Sequence, residues 1–113
     1  MKTLVMSRED REFLDAYKKA LEERFPGVVE DIIVYGSKTR GDAGPDSDLD
    51  VLVLIGEGDW RLKNALCDPA TEFSVGTNVV PSIQVYTTDE WEKRRISGSA
   101  YRRAVERDGV SVR

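Results

Sequence analysis

Histidine is missing from this sequence of 113 residues, and cysteine occurs once, at Cys67. The absence of histidine excludes the catalytic triads that use histidine as a base, and it excludes most zinc hydrolases. A single cysteine excludes a disulfide within the chain and a cysteine-rich zinc site. The chemistry that remains depends on acidic side chains and on metal ions that prefer oxygen ligands.

Long apolar runs are lacking as well. The longest run is far too short to span a bilayer, and Arg8, Glu9 and Asp10 interrupt the N-terminus too early for the apolar core of a secretory signal. We therefore expect no membrane association and a cytoplasmic location. The net charge of −4 disfavours nucleic acid as a partner of the whole surface, because a nucleic-acid binder usually carries an excess of positive charge. A local basic patch stays open as an alternative, with Arg94, Arg95, Arg102 and Arg103 as its candidates.

The composition is that of a globular domain with a well-solvated surface. Apolar residues make up 40% of the chain and charged residues 34%. The length predicts a single domain over residues 1–113. Ser7 followed by Asp10 predicts the start of a first helix, because the two side chains can form a capping box.

Two short runs rich in branched side chains, "DIIVYG" and "LDVLVLI", are typical of buried strands. A third strand is expected at about Val79 to Tyr86. Further helices are expected to begin near Asp59, Thr87 and Ser99, with an interruption of the first of these at Asp68–Pro69. The order predicts an α/β (α+β) fold with a small mixed β-sheet flanked by helices.

Asp48 and Asp50 stand at the start of the second strand pattern. Side chains alternate along a strand, so both carboxylates point to the same face. Two acids so placed repel each other and lose hydration beside a buried strand, which predicts a cation between them. Mg²⁺ is the expected ion, because it prefers oxygen ligands and often shares a carboxylate pair with the phosphates of a nucleotide.

A glycine–serine pair ends the first strand pattern. Gly36 would let the backbone approach a phosphate closely, and Ser37 offers a hydroxyl and a backbone N–H. Arg40 adds positive charge nearby, either for a phosphate or for a carboxylate of the same loop. Lys38 is expected to be solvated.

Together, the segment "GSKTRGDAGPDSDLD" resembles the signature of the DNA polymerase beta-like nucleotidyltransferase superfamily, and the small size resembles its minimal nucleotidyltransferase branch. In that signature a Gly-Ser pair closes one strand, an Arg-Gly pair follows, and Ser-Asp-x-Asp opens the next strand. The matching positions are Gly36, Ser37, Arg40, Gly41, Ser47, Asp48 and Asp50.

The resemblance implies a polymerase beta-like nucleotidyltransferase fold and Mg²⁺-dependent transfer of a nucleoside monophosphate, with AMP from ATP expected. It assigns catalysis and metal binding to Asp48 and Asp50. It assigns nucleotide binding to Gly36, Ser37, Arg40 and Ser47.

The resemblance also bears on partners. Members of the branch often occur beside a HEPN-domain protein as the antitoxin of a toxin–antitoxin pair, which makes a hydroxyl of that partner a plausible acceptor. At this length we expect the acceptor site to come from a partner or from a second copy in a homo-oligomer.

One position departs from the superfamily pattern. The third strand usually presents a third carboxylate, and here that position falls on Ser82, with Gln84 as its neighbour on the same face. Neither side chain is an anionic ligand or a base at neutral pH. Three explanations stay open: catalysis with two carboxylates, an acid recruited from elsewhere such as Glu72 or Asp68, or a non-catalytic module that binds a nucleotide or a partner.

Overall fold

The structure, a computed structural model, describes residues 4–40 and 48–113, and it describes Arg40 by its backbone alone. The elements in these ranges are α1 (Arg8–Arg24), β1 (Val29–Tyr35), α2 (Ser37–Arg40), β2 (Leu49–Ile55), α3 (Trp60–Ser74), β3 (Pro81–Thr87), α4 (Thr88–Ile96), α5 (Ala100–Asp108) and β4 (Val110–Ser111).

The strands form one sheet in the order β3-β2-β1-β4. Strand β1 runs antiparallel to both β2 and β4, whereas β2 and β3 run parallel. The parallel pair needs a crossover connection, and α3 supplies it. The expected α+β fold with a small mixed sheet flanked by helices is confirmed.

Helices cover both faces of this sheet. On one face α1 and α3 bury the larger apolar cluster, which includes Leu49, Val51 and Val53 of β2. On the other face α4 and α5 pack a smaller cluster around Leu52 and Trp91. Since β2 contributes alternate residues to the two clusters, Asp50 lies on the face that α4 and α5 cover only in part.

The helix starts follow from local capping. Ser7 and Asp10 form a reciprocal capping box at the start of α1, and Thr87 and Glu90 form another at the start of α4. The expected interruption at Asp68–Pro69 is wrong, because α3 continues through it with Pro69 buried inside the helix.

No helix among the described residues combines the length and the apolar character that crossing a bilayer requires.

Candidate functional site

Strand β2 presents the two predicted carboxylates at its N-terminal end. Leu49, which separates them, is fully buried against α1 and α3. Asp50, the next residue in β2, is half-buried and lies on the opposite face from Leu49, whereas Asp48 immediately precedes β2 and is exposed. The sheet thus holds Asp50 at the end of β2, and Asp48 is two residues earlier in the chain.

Gly36 is in direct contact with Asp50. Its preceding residue Tyr35 is the register partner of Asp50 in the antiparallel β1–β2 pair. Gly36 has φ of +80°, and a Cβ at this position would lie 2.4 Å from Asp50 Oδ2. Only glycine satisfies both the backbone conformation and the space that the carboxylate takes.

Ser37 follows as the first residue of α2. The turn before it is closed by Thr39, whose backbone N–H and Oγ1 both donate to the Gly36 carbonyl, at 3.1 and 2.8 Å. The structure therefore brings Gly36 against Asp50, and Ser37 is the next residue along the chain. Arg40 ends α2, and its side chain lies outside the described part of the chain. The whole of Gly41 and of Ser47 lies outside it as well.

Ser82 stands beside Asp50 on the neighbouring strand. The two residues are direct partners in the parallel β2–β3 register, and Leu52 is paired with Gln84. Residues paired in this way share a face of the sheet. A serine therefore occupies the place nearest to Asp50 on β3, where a third carboxylate would have to be.

The two acids considered as replacements lie elsewhere. Glu72 and Asp68 belong to α3, the helix that covers the opposite face of the sheet. Glu72 accepts hydrogen bonds from the Arg24 guanidinium at 2.8 and 3.2 Å, and these bonds lower the pKa of Glu72. This arrangement therefore does not support Glu72 or Asp68 as the acid that replaces the third carboxylate beside Asp50.

Two tyrosines adjoin the carboxylates, and the sequence pattern did not single them out. Tyr101 of α5 donates a hydrogen bond to the Tyr35 hydroxyl at 2.9 Å, and their rings meet edge to face with centroids 5.7 Å apart. Burial raises the pKa of both phenols, and the negative charge of Asp50 adds to the increase. The feature of the sequence that could have pointed to Tyr35 is its position directly before Gly36.

Lys38 is not solvated, contrary to the expectation from sequence. Its Nζ lies 3.0 Å from Asp10 Oδ2, and the two side chains are 9% and 6% exposed. No sequence pattern linked these residues, because α1 and α2 meet only in the folded chain. The ion pair joins the start of α1 to the helix that carries Ser37.

Asp48 and Asp50 fit a hard divalent cation. Their carboxylate oxygens are the donors that Mg²⁺ prefers, and Mg²⁺ needs only one or two carboxylates because it keeps several waters and takes phosphate oxygens. Over residues 4–40 and 48–113, no cluster of three or more His, Cys, Asp or Glu side chains offers a fuller protein cage. The site thus suits a metal that arrives with a phosphate ligand.

Residues 14–101 match the nucleotidyltransferase domain family. The protein adenylyltransferase MntA of Thermococcus cleftensis is 51% identical over 71 residues, which are 63% of this chain and 70% of that protein. The provisionally named protein adenylyltransferase MJ0604 of Methanocaldococcus jannaschii is 29% identical over 94 residues, which are 83% of this chain and 89% of that protein.

A similar fold occurs in the crystal structure of the spectinomycin adenyltransferase AAD(9) from Enterococcus faecialis, which was determined with ATP and spectinomycin. The TM-score is 0.70 at 16% identity, over 91% of this chain and 55% of that one. This chain thus spans little more than half the length of that enzyme. The family match covers most of the present chain, from α1 to α5. The chain belongs to the nucleotidyltransferase domain family and is a nucleotidyltransferase.

Proposed function

We propose that this nucleotidyltransferase transfers AMP from ATP, with Mg²⁺, to a hydroxyl group of a partner protein: the hydroxyl oxygen forms a bond to the α-phosphorus, the bond between the α-phosphorus and the bridging oxygen to the β-phosphorus breaks, and pyrophosphate leaves. The observation that carries the proposal is the contact between the Gly36 turn and the Asp50 carboxylate, which brings a backbone turn and a carboxylate oxygen to the same point. The names of the two archaeal relatives, both protein adenylyltransferases, support AMP as the group and a protein as the acceptor.

Asp48 and Asp50 would hold the metal. When bound, Mg²⁺ neutralises charge on the triphosphate and orients it for in-line displacement. The two aspartates contribute the anionic oxygens at the edge of the sheet, and the contact with Gly36 holds Asp50 in place. A cytoplasmic location, where the cell keeps its ATP, is part of the same proposal.

The turn after β1 would bind the phosphates. The missing side chain of Gly36 leaves its space to the Asp50 carboxylate, so the turn would bind the phosphates through its backbone, and Ser37 would donate from its hydroxyl and its backbone N–H. Arg40 and Ser47 complete the nucleotide site in this proposal. Tyr35 and Tyr101 stay neutral, since burial raises the pKa of each phenol.

The serine at position 82 leads us to expect a slow rate of AMP transfer. A general base typically contributes about 10²–10⁴-fold to a reaction rate, and serine cannot act as one at neutral pH. Transfer with two carboxylates is therefore expected to be slow, and the acceptor hydroxyl must lose its proton to water or to a group on the acceptor protein.

A HEPN-domain protein is the acceptor that we propose, in a toxin–antitoxin pair, with a second copy of this chain as the other candidate.

The test uses ATP labelled at the α- or the γ-phosphate, incubated with the protein, Mg²⁺ and a lysate of its source. Label from the α position alone, appearing on a protein, supports the proposal, and the variant with Asp48→Asn and Asp50→Asn should not transfer it. Ser82→Asp should raise the rate at least about tenfold, since it restores an acid beside Asp50. ATP binding without transfer, in both the natural protein and Ser82→Asp, would instead favour the binding module.

A further inference from the structure

The Lys38–Asp10 ion pair is nearly closed to solvent, with an Nζ to Oδ2 distance of 3.0 Å. Taking two charges out of water costs free energy that their attraction often fails to recover, and apolar side chains of similar volume are frequently as stable in such places. Stability alone is therefore a weak explanation for this pair. What a buried ion pair does provide is a fixed direction and distance between two elements.

The elements that it fixes are the start of α1 and the short helix α2. Asp10 Oδ2 also accepts a hydrogen bond from the backbone N–H of Ser7, at 3.1 Å. The carbonyl of Lys38 accepts one from the backbone N–H of Val5, at 2.6 Å. The segment before α1 and the first turn of α1 thus hold Lys38 by both its side chain and its backbone.

The same short stretch contacts the carboxylate site on its other side. Gly36, two residues before Lys38, leaves just enough space for Asp50, since a Cβ there would lie 2.4 Å from Oδ2. Thr39, the residue after Lys38, binds back to the Gly36 carbonyl. A small displacement of α2 would therefore change the position of the Gly36–Ser37 turn relative to Asp50.

We propose that Lys38 and Asp10 are positioning residues for nucleotide binding: their ion pair holds the Gly36–Ser37 turn against Asp50. This inference rests on the proposed function, in which that turn and Asp50 bind Mg²⁺ and ATP together. If the pair served only stability, any replacement that restored stability would also restore ATP binding.

The test is the double variant Lys38→Met/Asp10→Asn. It removes both charges, keeps the volumes similar, and leaves an oxygen at position 10 for the Ser7 N–H. Three quantities are measured: the urea midpoint of unfolding, the dissociation constant of MgATP, and amide hydrogen exchange without nucleotide. We expect a nearly unchanged midpoint, MgATP binding weaker by at least about tenfold, and amide exchange at residues 36–39 faster by a similar factor.

Lys38→Arg is the matched control, because it keeps the charge, and its MgATP affinity should stay within about threefold of the natural protein. Wild-type MgATP affinity and wild-type exchange at residues 36–39 in the double variant would overturn the inference. If the double variant does not fold, Lys38→Leu/Asp10→Asn replaces it, since it also removes both charges and the donor at position 38; unchanged affinity and exchange there would overturn the inference equally.

The two proposals fail in different ways. If the natural protein binds no MgATP, the proposed function is wrong, and exchange in the nucleotide-free protein then decides the inference about Lys38 by itself. Faster exchange confined to residues 36–39 supports positioning, whereas a uniform increase across the sheet shows a role in stability alone.

Discussion

Gly36 shows how much of this site depends on one missing side chain. Gly36→Ala would strain the backbone at φ of +80° and place a Cβ 2.4 Å from Asp50 Oδ2. Gly76 is a matched control, because its φ is +79° and nothing lies within 4 Å of its added Cβ. Gly76→Ala should cost about 1–2 kcal/mol in the free energy of unfolding, which is the backbone strain alone.

Gly36→Ala should cost at least about 1 kcal/mol more than Gly76→Ala, because Asp50 must move. It should also weaken MgATP binding at least about tenfold, whereas Gly76→Ala should leave it unchanged. Denaturant unfolding and calorimetric titration measure the two effects. Equal losses in the two variants would show that the contact with Asp50 is unimportant.

Single residues also show where prediction from sequence stops. The positions of Gly36, Asp48 and Asp50 follow from a local pattern, because strand alternation and turn chemistry need only neighbouring residues. The environment of Lys38 does not follow from it. Its partner Asp10 is in the first turn of α1, so the rest of α1 and all of β1 lie between the two residues in the sequence. Only the packing of those elements buries the lysine.

At the scale of elements, α3 and α4 are linked by one carboxylate. Glu90 accepts from Lys63 Nζ at 2.6 and 2.8 Å and from the backbone N–H of Thr87 at 2.8 Å. The hydrogen bond from Lys63 lowers the pKa of Glu90 most, and the one from Thr87 adds to it. The capping box is visible in the sequence, but the bond to Lys63 is not.

Glu90→Gln keeps the capping box and loses the charge, so it should cost only about 0.5 kcal/mol at pH 7, since the pair is partly exposed. Because the pKa of Glu90 is lower in the folded state, the stabilisation is present above the unfolded pKa and is lost as the pH falls through the folded value. The difference between the two proteins should therefore shrink once the pH falls below the ordinary pKa of glutamate, about 4.3, and vanish below the lowered pKa of the folded state.

Glu90→Ala also removes the hydrogen bond from the Thr87 backbone N–H, although the Thr87 side chain still caps α4, and should cost about 1 kcal/mol more. Urea unfolding at several pH values measures these differences, and Lys63→Met should add nothing to Glu90→Gln. A cost for Glu90→Gln that stays constant down to pH 3 would contradict the ionic origin.

Helix α3 shows the opposite case, in which a local signal misleads. Proline inside a helix costs about 3 kcal/mol, which is why Asp68–Pro69 predicts an interruption. In the fold Pro69 is almost fully buried beside Leu66 and Ala70, so packing against the sheet outweighs the lost hydrogen bond. Tertiary burial of this kind cannot be predicted from the neighbouring residues.

For the molecule as a whole, the sheet has a larger apolar cluster on one face and a smaller one on the face that carries Asp50. Helices α1 and α3 cover one side of the sheet and bury Leu49 and Val51. Helices α4 and α5 cover the other side only in part, and Asp50 is half-buried there. The sequence predicted this division for β2, because its aspartates alternate with apolar residues. It did not predict the tyrosine pair, since Tyr101 reaches Tyr35 only through the packing of α5.

Because one sheet supports both faces, a ligand at the Asp50 end should stabilise the entire domain. At a MgATP concentration of about 100 times the dissociation constant, binding to the folded state alone adds about 2.7 kcal/mol. For a domain of this size the melting temperature should rise by roughly 10 °C. Differential scanning calorimetry with ATP and Mg²⁺, compared with ATP and EDTA, measures this rise.

The variant with Asp48→Asn and Asp50→Asn should show no such increase, because it lacks the anionic oxygens that hold the metal. An equal rise in the variant, or an equal rise without Mg²⁺, would place the nucleotide away from these two aspartates.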